Sequence, residues 1–153
     1  MAHISFSVYA ELGINEGDAH IIRNAGGSAY VPIHPILPAT SSLTLAHRKD
    51  ALRSLIISQR LLGTRQIAVF HHTDCGMLTF TSPQLRSIVK DSDPNNKELE
   101  VVDSIDFLEF SELEKSVKDD VEYLKANPLI LQETTVTGWT YDVKTGKVSN
   151  AAL

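Results

Sequence analysis

Gln66-Ile67-Ala68-Val69-Phe70-His71, followed at once by His72-Thr73-Asp74-Cys75-Gly76, is the stretch on which the fold of this chain turns. The continuous apolar run is consistent with a strand buried on both faces. Ahead of it, Lys49 to Leu62 places Leu52, Leu55, Ile56 and Leu62, with Ala51 and Ile57, in a broad stripe at helical spacing, and Gly63 offers a C-terminal stop. Earlier still, Ala19-His20-Ile21-Ile22 reads as a short strand that ends at Arg23-Asn24-Ala25-Gly26-Gly27, with a turn over Gly13 to Asp18 before it. Strand, helix, strand in that order predicts an α/β fold, a small parallel β-sheet flanked by helices.

Downstream, Ser82-Pro83 predicts a helix to about Val89, with Ser82 as N-cap and Pro83 at the first helical position. Asp91 to Lys97 reads as a polar turn. Ser111-Glu112-Leu113-Glu114 has the spacing of a capping box for a helix running to about Lys125, which Asn127-Pro128 ends. Thr135 to Tyr141 is rich in strand formers, and Asp142 to Lys147 reads as a turn into a last strand, Lys147 to Ser149. The 30–48 stretch stands apart. Pro32, Pro35 and Pro38 rule out a helix interior or a central strand, so it reads as an inserted surface loop in a single domain spanning 1–153.

The chemistry is concentrated after the apolar run, where open α/β sheets place their sites at strand C-terminal ends. His72 and Cys75 form an H-x-x-C pair, and imidazole nitrogen with thiolate sulfur makes a good zinc donor set. Two donors do not hold zinc firmly, so more must come from elsewhere. The spacing also suits a buried packing cysteine, or a thiol activated by His72. A second candidate region is Arg23-Asn24 with Gly26-Gly27, where side chains and close backbone could meet an anion; the alternative is a tight turn with a structural arginine.

Composition narrows the classes. With 42% apolar residues and 22% charged, the chain is an ordinary globular sequence, and its net charge of -5 carries no basic stripe suited to nucleic acid. The basic 48–65 and acidic 91–122 stretches read as solvated surface. One cysteine in 153 residues forbids an intramolecular disulfide and fits a reducing, cytoplasmic setting. No apolar run reaches the ~20 residues of a membrane span, and the start lacks a secretory pattern.

Taken together, Gly17-Asp18-Ala19-His20-Ile21-Ile22-Arg23-Asn24-Ala25-Gly26-Gly27 and Phe70-His71-His72-Thr73-Asp74-Cys75-Gly76-Met77 resemble two blocks of the β-class carbonic anhydrases. Asp50 to Thr64 and Thr137-Gly138-Trp139 to Gly146 resemble that family's helix before the metal strand and its last strand and turn, in the compact fungal and bacterial form. The resemblance covers 11–29 and 49–149. It implies a small parallel-sheet α/β domain that dimerises or assembles further, and reversible hydration of CO2 to bicarbonate at one zinc ion per chain. His72 and Cys75 are then two of three zinc ligands. Asp74 and Arg23 become supporting residues, and Asn24, Gly26, Gly27 and Gly76 line the substrate or anion region. Related enzymes of the same fold hydrolyse CS2 or COS, and a non-catalytic relative that pairs with itself or an intact paralogue is a further alternative.

Two departures from the family pattern set further expectations. The family's first block, Cys-x-Asp-x-Arg, supplies the remaining zinc cysteine and the catalytic Asp-Arg pair. Counting back from Leu12-Gly13 puts Met1, His3 and Ser5 at those places, so that block is expected to be missing. His3, His34, His71, a partner chain's side chain, water or an exogenous thiol would have to replace the lost donor, with His71 reading as structural. Removing 30–48 joins Ala29 to Lys49 in the family's own order, so this insertion reads as translated intron.

Overall fold

The computed structural model describes residues 13–15, 17–29 and 50–151; the 30–48 insertion, His3 and His34 lie outside them. Helix α1, Asp50–Leu61, leads into strand β1, Gln66–His72. Helix α2, Ser82–Asp91, a 3-10 segment at Lys97–Ser104, and helix α3, Leu113–Ala126, follow. Strands β2, Thr135–Tyr141, and β3, Val148–Asn150, complete a three-stranded sheet in the order β1-β2-β3. The β1–β2 pair is parallel, from Gln66 opposite Thr135 to His72 opposite Tyr141. The β2–β3 pair is antiparallel, because only the tight turn over Asp142 to Lys147 separates them, so the sheet is mixed rather than wholly parallel.

The core lies on one face of this sheet. Leu52 of α1 and Val121 and Leu124 of α3 pack with Ile67 and Val69 of β1, Val136 of β2 and Ile130. Val117, Val121 and Leu124 recur at helical spacing, and their burial gives α3 its driving force. β1 is not covered on both faces as its apolar run suggested. Ile67, Val69 and His71 are buried, while Ala68 is exposed and Phe70 half-buried, stacked on Trp139 with centroids 6.2 Å apart. The α1 stripe is also shifted: Leu61 and Leu62 face outward, and Ser58 and Gln59 are buried instead. These polar groups turn inward because they have partners there. Ser58 Oγ lies 3.0 Å from Thr64 Oγ1, and Gln59 Nε2 donates to Thr134 Oγ1 at 2.7 Å.

Three local expectations are corrected. Ala19–Ile22 is not a strand: no described strand lies beside it, Ile21 is exposed, and an extended segment without a ladder partner is only coil. α2 is capped by Thr81 rather than Ser82, since Thr81 and Gln84 form a reciprocal capping box; this frees the Ser82 N–H and hydroxyl to donate to the Glu109 carboxylate. The Ser111 capping box does not form. α3 begins one residue later with Glu112 as N-cap, which displaces Glu114 from the third helical position that the box requires.

Burial pushes the Glu109 carboxyl up. The two hydrogen bonds from Ser82, the backbone N–H of Glu109 itself and the charge of Arg86 outweigh this and leave it below the usual glutamate value. A depressed carboxylate stabilises the fold above its unfolded value, and that contribution is lost as pH falls through the folded value. Glu109→Gln is therefore expected to lower the urea midpoint at neutral pH and to flatten its decline toward roughly pH 3, which denaturation curves at both pH values measure.

Candidate metal centre

The site begins where β1 ends. Alternation along the strand sends His71 into the core and His72 to the opposite face, beside the end of β2. The Thr73 N–H donates to the Tyr141 carbonyl at 2.9 Å and its hydroxyl oxygen accepts from Val143 N at 3.1 Å, so the turn after the strand is tied to the end of β2. Asp74 takes a left-handed backbone, φ 54°, which reverses the chain and delivers Cys75 into a buried position, 5% exposed. A 3-10 turn at Gly76–Leu78 follows, closed by Leu78 N to Cys75 O at 3.1 Å.

His72 Nδ1 lies 2.8 Å from the Thr73 carbonyl oxygen. A carbonyl only accepts, so Nδ1 carries the hydrogen and Nε2 is left with its lone pair in the neutral ring. Metal-binding histidines are commonly held in this way, by a backbone carbonyl on the nitrogen away from the ion. The His72–Cys75 pair therefore fits zinc in donor type and in tautomer. The set is incomplete, however: among the described residues no group of three or more His, Cys, Asp and Glu is placed to hold a metal.

His71 does not supply the missing donor. It is 2% exposed and both ring nitrogens are engaged, Nδ1 with Ser116 Oγ at 2.7 Å and Nε2 with Asp120 Oδ2 at 2.9 Å. Asp74 is exposed, its carboxylate 3.7 Å from Lys144 Nζ and its backbone in the left-handed turn. The 3-10 turn at Ala25–Gly27 packs against both β1 and the Gly76–Leu78 turn, so the second sequence candidate does meet the first. Two glycines make that approach possible. A Cβ on Gly27, φ 69°, would lie 2.6 Å from the Phe70 carbonyl oxygen, and one on Gly26, φ 76°, 3.0 Å from Met77 Cγ. Asn24 spends a side-chain N–H on the Ser28 carbonyl at 2.8 Å, which braces the turn. Arg23 and Gly76 are exposed.

Sequence reading missed Asp120. It is 1% exposed on α3, and one of its oxygens accepts from Ala29 N at 2.9 Å and Ser28 Oγ at 3.2 Å, while the other meets His71. The signal was present: Ser116 and Asp120, four apart, interrupt the inward stripe of Val117, Val121 and Leu124.

The sequence pattern of the family described as carbonic anhydrase matches residues 8–148. The structure superposes on a carbonic anhydrase from Glaciozyma antarctica with a TM-score of 0.78 at 45% identity, covering 97% of this chain and 78% of that one. Beta-carbonic anhydrase 1 of Mycobacterium tuberculosis is 36% identical over 142 residues, 93% of this chain and 72% of the relative. A carbon disulfide hydrolase of Saccharolobus solfataricus is 32% identical over 155 residues, 90% of this chain and 67% of that protein. The chain belongs to the β-carbonic anhydrase family, a family of lyases, and its fold is theirs.

Gly27→Ala and Gly146→Ala separate backbone strain from close approach. Both positions are left-handed, but a Cβ on Gly146 meets nothing within 4 Å. Gly146→Ala should cost about 1 kcal/mol, and Gly27→Ala about 2–3 kcal/mol, from the same strain plus the contact with the Phe70 carbonyl. Thermal unfolding of the two variants checks the order.

Proposed function

We propose that this protein catalyses the reversible hydration of CO2 to bicarbonate at a zinc ion bound by His72 through Nε2 and Cys75 through Sγ, with a third donor from outside the described residues. The observation that carries this reading is the Thr73 carbonyl holding His72 Nδ1, beside a buried cysteine at the C-terminal end of β1. A zinc ion held there would supply a water acidic enough to attack CO2 near neutral pH. Around it, Thr73 orients His72, the Asp74 turn presents Cys75, and the Gly26–Gly27 and Gly76 backbones border the place where a small linear substrate approaches. Asn24 steadies that border, and Arg23 stands at its outer edge.

The 153 residues contain a single cysteine, so a second thiolate is not available from them. His3, His34, a side chain of a second copy, water or an exogenous thiol would complete the set. The half-exposed Phe70–Trp139 stack, on the sheet face away from the core, is the surface we assign to pairing in a homodimer. Metal held by two of its own donors is held weakly, so this chain alone is expected to hydrate CO2 slowly. Among the described residues no helix is long and apolar enough to cross a membrane. A cytoplasmic setting is proposed on the lone cysteine, which suits a reducing compartment.

Elemental analysis of the purified chain beside His72→Ala and Cys75→Ala tests the reading. About one zinc per chain, lost in both variants, is the expected result. Well-folded protein without zinc would overturn it and leave the alternative of a non-catalytic relative. The likeness to a carbon disulfide hydrolase favours a second substrate to be assayed beside CO2. Turnover of CS2 or COS with none of CO2 would replace the hydration reading while keeping the metal pair.

A further inference from the structure

We propose that Asp120 is a positioning residue for the metal turn, acting as a clip that ties the end of β1 and the glycine turn to α3. The assignment rests on reading His72 and Cys75 as the site. Asp120 is 1% exposed, and its two carboxylate oxygens serve two different segments of chain. Oδ2 meets Nε2 of His71, the residue directly before His72, at 2.9 Å. Oδ1 accepts from Ala29 N at 2.9 Å and Ser28 Oγ at 3.2 Å, immediately after Gly26–Gly27. The carboxylate thereby holds the 24–29 segment down on β1, with Gly27 against the Phe70 carbonyl and Gly26 against Met77. Met77 lies two residues beyond Cys75 and its carbonyl accepts from Phe110 N at 3.3 Å, while the Phe110 ring stacks on His71 with centroids 5.3 Å apart. Cutting the clip releases the glycine turn, and the floor under Cys75 goes with it.

The far side of the ring closes the network. Ser116 Oγ lies 2.7 Å from His71 Nδ1 and 2.7 Å from the Leu113 carbonyl. The connectivity is that of a hydroxyl, base and acid chain. Here the hydroxyl is tied to a carbonyl of its own helix, so the chain holds structure rather than attacks substrate. The hydrogen bonds described for Asp120 also say which substitution the clip tolerates. Asparagine at 120 keeps an oxygen for Ser28 and Ala29 and offers an N–H to Nε2. The ring hydrogen then sits on Nδ1, where Ser116 Oγ accepts it and gives its own to Leu113. Alanine removes the acceptor shared by Ala29 N and Ser28 Oγ and the group facing His71 Nε2.

The test compares Asp120→Ala, Asp120→Asn and Val117→Ala, the last opening a cavity on the same helix without cutting the clip. The metal-free readout is the rate at which Cys75 reacts with an aromatic disulfide reagent under conditions where all variants are folded. Asp120→Ala should react roughly tenfold faster than wild type through local opening, while Asp120→Asn and Val117→Ala stay close to wild type. Where wild type takes up cobalt, Asp120→Ala should also lower its affinity by about 10–100-fold and alter the thiolate charge-transfer band, with Asp120→Asn restoring both. Equal labelling of Asp120→Ala and Val117→Ala, or Asp120→Asn as reactive as Asp120→Ala, overturns the proposal. If Asp120→Ala does not fold, Ser28→Ala removes one strand of the clip; faster labelling supports the assignment and an unchanged rate overturns it. Wild type that binds no cobalt refutes the metal reading instead, and the labelling comparison still decides the role of Asp120.

Discussion

The parallel pairing of Gln66–His72 with Thr135–Tyr141 is the constraint on which the rest of the molecule depends. Parallel strands cannot be joined by a tight turn and need a crossover; here it runs from His72 to Thr135, and α2 and α3 lie in that connection. The register fixes which side chains share a face. Ile67, Val69 and His71 face α3, and Phe70 and His72 face away from it. One step of slip would exchange these sets, putting His72 into the apolar core and His71 out of reach of Asp120.

The same alternation explains why two adjacent histidines have unrelated roles. His71 enters an interior where a polar ring is costly unless every nitrogen finds a partner, and Ser116 and Asp120 meet that need. Asp120 in turn is buried, and a carboxylate is tolerated there only with hydrogen bonds to both oxygens, which Ser28, Ala29 and His71 supply. A network satisfied this fully has one geometry, and it ties together three segments far apart in sequence. His72, on the other face, has its Nδ1 engaged by the next residue's carbonyl, which leaves the lone pair of the neutral ring on Nε2. The period of the strand thus divides the two neighbours between a buried network and the opposite face of the sheet.

Membership in the β-carbonic anhydrase family and the chemistry of this chain are separate matters. The match over 8–148 and the superposition on a solved carbonic anhydrase establish the first. The second depends on the donor set, where two donors of suitable type stand at the strand end and the described residues provide no third. A fold can keep its sheet, its glycine turn and its strand-end loop while the reaction depends on a few atoms outside them.

The sequence by itself determined what depends on local pattern and type. The α1 and β1 bounds, the stop at Asn127-Pro128 and the β2 span were all legible, because helical spacing and strand composition are properties of nearby residues. The tertiary structure alone decided the rest. Whether Ala19–Ile22 forms a strand depends on a neighbour to pair with, and whether Ser58 and Gln59 point inward depends on Thr64 and Thr134 waiting there. Asp120 showed in sequence only as an acid on an apolar helix face. Its function arises because folding brings Ser28, Ala29 and His71 to one carboxylate, and contacts between residues 49 to 92 positions apart leave no periodic trace in a chain.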